Sequence, residues 1–318
     1  MRFALMTEPQ QGLSYTEILA LARAAEEAGF EAFFRADHYA SFPGEAGLPT
    51  TDAWATTAGL ARETKLINLG VLVSPVTFRA PGNLAKVSAT VAEMSGGRVE
   101  VGLGAGWNER EHHQQGLAFP DTRERFDMLE EQLAIVHGLW TEPDGWSYAG
   151  AHWQVSDSLF RPRPPAPAGR KHPNLIVGGL ARPRMAALVA RYADEINITS
   201  ATPASASAGF ARVDEACRAI GRDPAGVTRS AMTGVLVGRD EAEVERRARA
   251  LLQIVGAGGP QGQRWLDERR TRWIFGTPDQ ARARAAELAA VGVERVMFQT
   301  FLPRDLEMVA LLGEVFLG

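Results

Sequence analysis

A closed (β/α)8 barrel of the TIM type is the fold that this chain of 318 residues predicts. Three observations predict it. The apolar period switches between strand-like alternation and helix-like spacing eight times, in order. Each strand-like run is followed by a helical pattern, so parallel strands with helical crossovers are expected. Eight such units favour closure over an open doubly wound sheet. The length suits two ordinary domains or one large barrel, and the repeat points to a single domain over 1–318.

Taken in order, "RFALMT" (2–7) alternates as a strand, and "SYTEILALARAAEEAG" (14–29) carries apolar residues at helical spacing with Gly29 as its C-cap. "EAFFRADHY" (31–39) and "TDAWATTAGLARET" (51–64) form the second unit. "INLGVLVSP" (67–75) is the third strand, and its helix, 81–97, has Pro81 near its start and glycines after its end. "RVEVGLGAG" (98–106) and the helix 122–140 are the fourth unit. An insertion at about 141–173 follows, rich in Pro, Gly and aromatics, with "WSYAGAHWQV" (146–155) as a small hairpin. The alternation resumes with "NLIVGG" (174–179) and helix 182–193, "EINIT" (195–199) and helix 203–221, and "RSAMTGVLVG" (229–238) and helix 240–256. A second irregular insertion is expected at 256–276. A helix at 278–291, the strand "RVMFQTF" (295–301) and a last helix at 305–317 complete the pattern.

Hydrophobic residues make up 45% and charged residues 23%, the balance of a soluble globular chain with a sizeable core. A net charge of −4 provides no basic field for a nucleic-acid backbone. No apolar run is long enough to span a bilayer, and "MRFALMTEPQ" lacks the apolar core of a signal peptide. The expectation is a cytoplasmic protein without nucleic-acid or membrane partners. The single cysteine, Cys217, lies in a helical pattern and is expected to be a buried, inert thiol.

In such a barrel the loops after the strands build the site. They carry Asp37 and His38, then Ser74, then the run Gly104, Ala105, Gly106, Trp107, Asn108, Glu109 to His113, then Gly178 and Gly179, and Asn197 to Ser200. An imidazole at His38 can contact a bound ring system, handle a proton near it, or simply brace the loop. Gly102, Gly104 and Gly106 either let a flat group lie against the strand ends or relieve crowding at the mouth. Gly178 and Gly179 run into a helix expected to start near Ala181, with Arg182 and Arg184 in its first turn. That junction suits a phosphate, or is a tight turn with solvated arginines. His112 and His113 point about 100° apart on a helix, so at most one faces the pocket. Trp54 and Trp107 are candidates to line it, whereas Trp140 and Trp146 are expected to pack the insertion. Asp37, His38, Glu109 and His112 could converge on a metal, but neither HxH nor HExxH spacing occurs, and no metal site is expected.

The segments "TFRAPGNLAKVSATVAEMSGGRVEVGLGAGWNEREHHQQG", "ERFDMLEE", "LWTE", "ADHY", "LIVGG", "ARYADEIN" and "GTPDQ" resemble, in order, the luciferase-like monooxygenase superfamily of flavin-dependent barrels. Among its branches the chain is most similar to the oxidoreductases that use the deazaflavin coenzyme F420. The resemblance implies hydride transfer between F420 and a small organic substrate. An FMN-dependent monooxygenase is the alternative, and a non-catalytic flavin-binding barrel the second. It implies His38 and Glu109 as catalytic residues. It also implies cofactor contacts from Asp37, His38, Gly70, Val71, Ser74, Gly104, Ala105, Gly106, Trp107, Asn108, Gly178, Gly179, Leu180, Ala181 and Arg182. The third strand is expected to bulge at a non-prolyl cis peptide, placed at Gly70–Val71 by the alignment of "TFR". His112 aligns with an E-H pair of the family. Substrate contacts are expected from the two insertions, the least family-like parts of the chain, and the resemblance implies a homodimer.

Overall fold

Strand β1 (Arg2–Thr7) pairs in parallel with β2 (Ala32–Arg35) and with the last strand of the chain, β11 (Arg295–Thr300). From β2 the order continues through β3 (Asn68–Pro75), β4 (Val99–Gly104), β7 (Asn174–Gly179), β8 (Glu195–Ile198) and β9 (Thr228–Val237), and β9 closes onto β11. These eight parallel strands form the expected (β/α)8 barrel. The computed structural model describes residues 1–167 and 169–318; residue 168, inside the insertion at 141–173, lies outside the described residues.

The helices follow their sequence signals. Helix α1 (Tyr15–Glu27) starts with a capping box between Ser14 and Glu17 and is followed by Gly29 in the left-handed region, φ +86°. Asp52 caps α2 (Ala53–Glu63), Pro81 opens α3 (Pro81–Ser95), and Asp121 caps α5 (Thr122–Thr141). A seven-residue helix, α4 (Glu109–Gln115), follows β4. Helices α6 (Pro183–Tyr192), α7 (Pro203–Ala219), α8 (Glu241–Ile254), α10 (Pro278–Ala290) and α11 (Leu306–Phe316) complete the ring. The helical ring and the outward faces of the strands share one large apolar core. A smaller cluster, including Met6, Phe34, Leu72, Ile176 and Met297, fills the barrel interior.

Within the first insertion, β5 (Trp146–Ala149) and β6 (Gln154–Ser158) form the expected hairpin. It is pinned from α5 by Glu131, whose carboxylate accepts the backbone N–H groups of Ala151, His152 and Trp153 at 2.7 to 3.2 Å. The region 256–276 differs from its expectation. It is mostly a helix, α9 (Gly259–Arg272), followed by a short strand, β10 (Ile274–Gly276), that pairs with β9. Gly258, Gly259, Pro260 and Gly262 break the helical signal at its start, and only Gly262 and Leu266 of this helix are buried, so no apolar stripe marks it.

A polar plug closes the N-terminal end of the barrel. Arg295 on β11 grips Glu100 on β4 through both terminal nitrogens, at 2.7 and 2.9 Å, and reaches Glu195 on β8 at 3.0 Å. Asn174 on β7 donates to both carboxylates. Burial alone would lower the Arg295 guanidinium, but attraction to Glu100 and Glu195 outweighs it, and its pKa is raised. This end is built for stability, which leaves the other end for chemistry.

Candidate active site

At the C-terminal mouth lies a cavity of about 530 Å³ whose walls come from nearly every strand end. Its floor is apolar, with Met6, Ala36, Leu72, Val73 and Met232, and aromatic rings at Phe42, Trp107, Phe126 and Phe301 face it. Trp107, 65% exposed, sits at the rim.

The back wall is the bulge in β3. Its pairing with β4 slips between Val71 and Ser74, and the Leu72–Val73 peptide is cis. The non-prolyl cis bond therefore exists, two residues beyond the expected Gly70–Val71. Gly70 and Val71 lie below the cavity, where a Cβ on Gly70 would meet Phe34 at 2.3 Å. The position of the bulge also explains the glycines. A Cβ on Gly102 would meet the Val71 carbonyl oxygen at 2.4 Å, and one on Gly104 or Gly178 would meet a Val73 methyl at 2.7 Å. They make room for the bulged strand, which in turn presents Leu72 and Val73 to the cavity. Gly106 differs, because its φ of +76° turns the chain toward α4.

His38 follows β2 and is held by a residue of α4. Its Nδ1 lies 2.9 Å from Oε1 and 3.2 Å from Oε2 of Glu111, a side chain only 1% exposed, and the Tyr39 N–H donates to Glu111 at 3.0 Å. A carboxylate accepts, so the neutral ring carries its hydrogen on Nδ1 and leaves Nε2 as the acceptor. Phe42 and Trp107 pack edge-on against the imidazole, with centroids 4.5 and 5.9 Å away. In the sequence Glu111 is only one member of the run Glu109 to His113, and the catalytic role expected of Glu109 falls to it. Glu109 points to solvent beside His113, at 64% and 68% exposure. Positions 109 and 111 lie about 200° apart around a helix, so one acidic residue faces in and the other out.

Several other expected contacts lie outside the cavity lining. Asp37 is buried behind it, where it accepts from Ser74 at 3.0 Å and pairs with Arg79, which also grips Asp52. Burial would lower the Arg79 guanidinium, but the attraction of Asp37 and then Asp52 raises it. Ser74 and Trp54 belong to the same network, the indole donating to the hydroxyl at 2.9 Å. Trp54 thus supports the wall without lining it. Asn108 precedes α4 and accepts His112 Nδ1–H through its carbonyl at 2.7 Å, while His112 Nε2 accepts from the Thr77 hydroxyl at 2.6 Å. One of the two adjacent histidines is indeed buried, but it braces the loop.

Gly178 and Gly179 line the cavity, whereas Leu180, Ala181 and Arg182 pass beyond it. Helix α6 begins at Pro183, with Arg182 at its N-cap and, among the described residues, no side-chain cap on its first N–H groups. Met185, in the first turn, lines the cavity, so this positive helix end borders it. Arg184 is committed to Asp127 on α5. Thr199 and Ser200, after β8, line the opposite flank of this junction, and Asn197 is buried beneath, donating to Ser230 at 2.9 Å. Further polar groups not singled out in the sequence are Glu8 and Gln299, at the ends of β1 and β11.

An apolar slot, a backbone-lined flank and a helix start with free donors suit a flat, anionic ring cofactor. Among the described residues, no group of three or more His, Cys, Asp and Glu side chains could hold a metal ion. No helix among them is long and apolar enough to cross a membrane.

Comparison with known proteins agrees with this architecture. An F420-dependent glucose-6-phosphate dehydrogenase of Nakamurella multipartita is 30% identical over 186 residues, 58% of this chain and 52% of that protein. The chain thus aligns with about half the length of the curated relatives it matches. Among solved structures, an F420-dependent secondary alcohol dehydrogenase in complex with an F420-acetone adduct superposes with a TM-score of 0.83 at 20% identity, covering 99% of this chain and 98% of that one. Monooxygenase RslO1 from Streptomyces bottropensis gives 0.81 at 22% identity, covering 100% and 99%. The family profile described as luciferase-like monooxygenase matches residues 1–295, and with the barrel, the bulged β3 and the open mouth in view, the chain belongs to that family.

Proposed function

We propose that the protein is an oxidoreductase that transfers a hydride between coenzyme F420 and a small organic substrate bound at the barrel mouth. The observation that carries this reading is the His38–Glu111 pair beside the apolar floor of the cavity. The F420-dependent relatives support the choice of coenzyme. When bound, the deazaflavin supplies the carbon that accepts or donates the hydride. Leu72 and Val73 would back its ring, the backbone of Gly104 to Trp107 would flank it, and the start of α6 beside Gly179 would hold its phosphate.

The chain's own contribution follows from the geometry. Glu111 fixes the orientation of His38 and places the ring hydrogen on Nδ1. Nε2 is then free to accept a proton from a substrate hydroxyl, or to return one to a carbonyl oxygen in the reverse direction. The apolar walls exclude water and strengthen each polar contact inside. Fluorescence titration of the purified protein with F420 and with FMN tests the assignment. Micromolar or tighter binding of F420 with much weaker FMN binding is expected. Equal or reversed affinities would move the protein to an FMN-dependent monooxygenase.

A further inference from the structure

Glu8 is a carboxylate that the hydride-transfer chemistry above leaves unused. It lines the cavity at the end of β1 and is 5% exposed. Two side-chain amides hold it: Gln10 Nε2 and Gln299 Nε2 each donate to it at 2.5 Å. No arginine or lysine lines the cavity, and Glu8 has no ion-pair partner, among the described residues. The titratable groups facing the cavity are therefore Glu8, Glu111 and His38.

The position of Glu8 in the barrel separates it from the cofactor's anionic end. Strand β1 lies four places from β7 around a ring of eight, so Glu8 faces Gly179 and the start of α6 across the mouth. His38, in the loop after β2, and Gln299 on β11 are its neighbours on the same wall. A molecule placed between Glu8 and His38 meets acceptors and no fixed cation.

We propose that Glu8, held by Gln10 and Gln299, selects the substrate of this site as an uncharged or cationic compound that donates a hydrogen bond, and rejects anions such as phosphorylated sugars. The proposal rests on the hydride-transfer reading for what then happens to the substrate, but not for what binds. A carboxylate anchored by two amides retains lone pairs for a hydroxyl or an ammonium group. A phosphate ester brought to the same wall would face two carboxylates without a counter-charge, and like-charge juxtaposition is a strong device for exclusion. The substrate would therefore differ in class from the glucose 6-phosphate in the name of the curated relatives.

Calorimetric binding of three probes to the protein, with and without F420, tests this. The probes are cyclohexanol, trans-4-aminocyclohexanol and glucose 6-phosphate. At least one of the first two should bind about a hundredfold more tightly than glucose 6-phosphate. Tighter binding of the alcohol marks a neutral substrate, and tighter binding of the amine a cationic one. In Glu8→Gln the favoured probe should weaken about tenfold or more, glucose 6-phosphate should gain, and F420 affinity should change by less than about threefold. Comparable binding of glucose 6-phosphate, no binding of either donor, or a favoured probe indifferent to Glu8→Gln would overturn the proposal. A failure of F420 to bind would instead overturn the hydride-transfer reading, and the cofactor-free arm would still report on Glu8.

Discussion

Replacing Glu111 with Gln keeps the size of the side chain and removes its charge. In the native site one carboxylate accepts both His38 Nδ1–H, at 2.9 Å, and the Tyr39 N–H, at 3.0 Å. An amide has one oxygen to offer them, and its NH2 must meet whichever donor remains. If the NH2 meets the ring, the imidazole answers by moving its hydrogen to Nε2, where it can no longer accept a proton. Hydrogen bonds to a charged group are worth about 1.5–3 kcal/mol. Losing one as the transition state forms lowers turnover by roughly tenfold to a hundredfold. His38→Ala should lower it by about 10²–10⁴ with little change in F420 affinity. Because Glu111 acts through His38, the double variant should be no worse than His38→Ala alone. The assay is the F420-dependent rate of the four proteins, with cofactor affinity measured separately by fluorescence. Full turnover in Glu111→Gln, or a double variant slower than His38→Ala by the full Glu111 factor, would refute the positioning role. His38→Asn adds a check: if it restores most of the rate, proton transfer by His38 is wrong.

Three further outcomes are expected. Glu109→Gln should leave turnover within about twofold, since the exposed side chain points to solvent beside His113; a large loss, measured in the same rate assay, would return Glu109 to the site. Gly179→Val places a side chain at φ +152° and a Cβ 2.5 Å from the Met185 methyl. It should push Met185 into the cavity and weaken F420 about tenfold or more, about 1.4 kcal/mol, by titration. Asp305 caps α11 and pairs with buried Arg247 at 2.7 Å; burial alone would raise its pKa, but the hydrogen bonds from Arg247 and the Met308 N–H lower it. Its contribution is therefore full above the ordinary aspartate range and lost as pH falls through the lowered folded value. Asp305→Asn should be less stable by urea denaturation at pH 7, and the gap should close in acid; a gap that stays constant with pH would contradict this.

The barrel was legible because each of its strands is a short apolar run and each helix of the ring begins with a cap or a proline, as Ser14, Asp52 and Pro81 do. Helix α9 was not legible, because its start is glycine and proline and its length is almost all polar. In the site, His38 and the glycines drew notice by type, but their partners depend on three-dimensional placement. "EREHHQQ" has no apolar stripe to reveal which side faces inward, so nothing in it separates Glu111 from Glu109. The cis bond of the bulge lies two residues beyond its expected place, since every residue of "GVLV" is small or β-branched or apolar and none marks the slip. Glu8 and Gln299 come from the two ends of the chain, 291 positions apart, and no local pattern joins them.

The charged plug under the barrel bears on how the chain can be divided. Its members come from β4, β7, β8 and β11, so the guanidinium that satisfies Glu100 arrives 195 positions later. A polypeptide ending before Arg295 would bury two carboxylates without their cation, and breaking such a pair costs about 3–5 kcal/mol. Half-barrel fragments, and duplications built from them, should stay open until a piece carrying Arg295 is supplied. The last strand thus works as a latch, and a split version of this protein would reassemble only when both pieces are present.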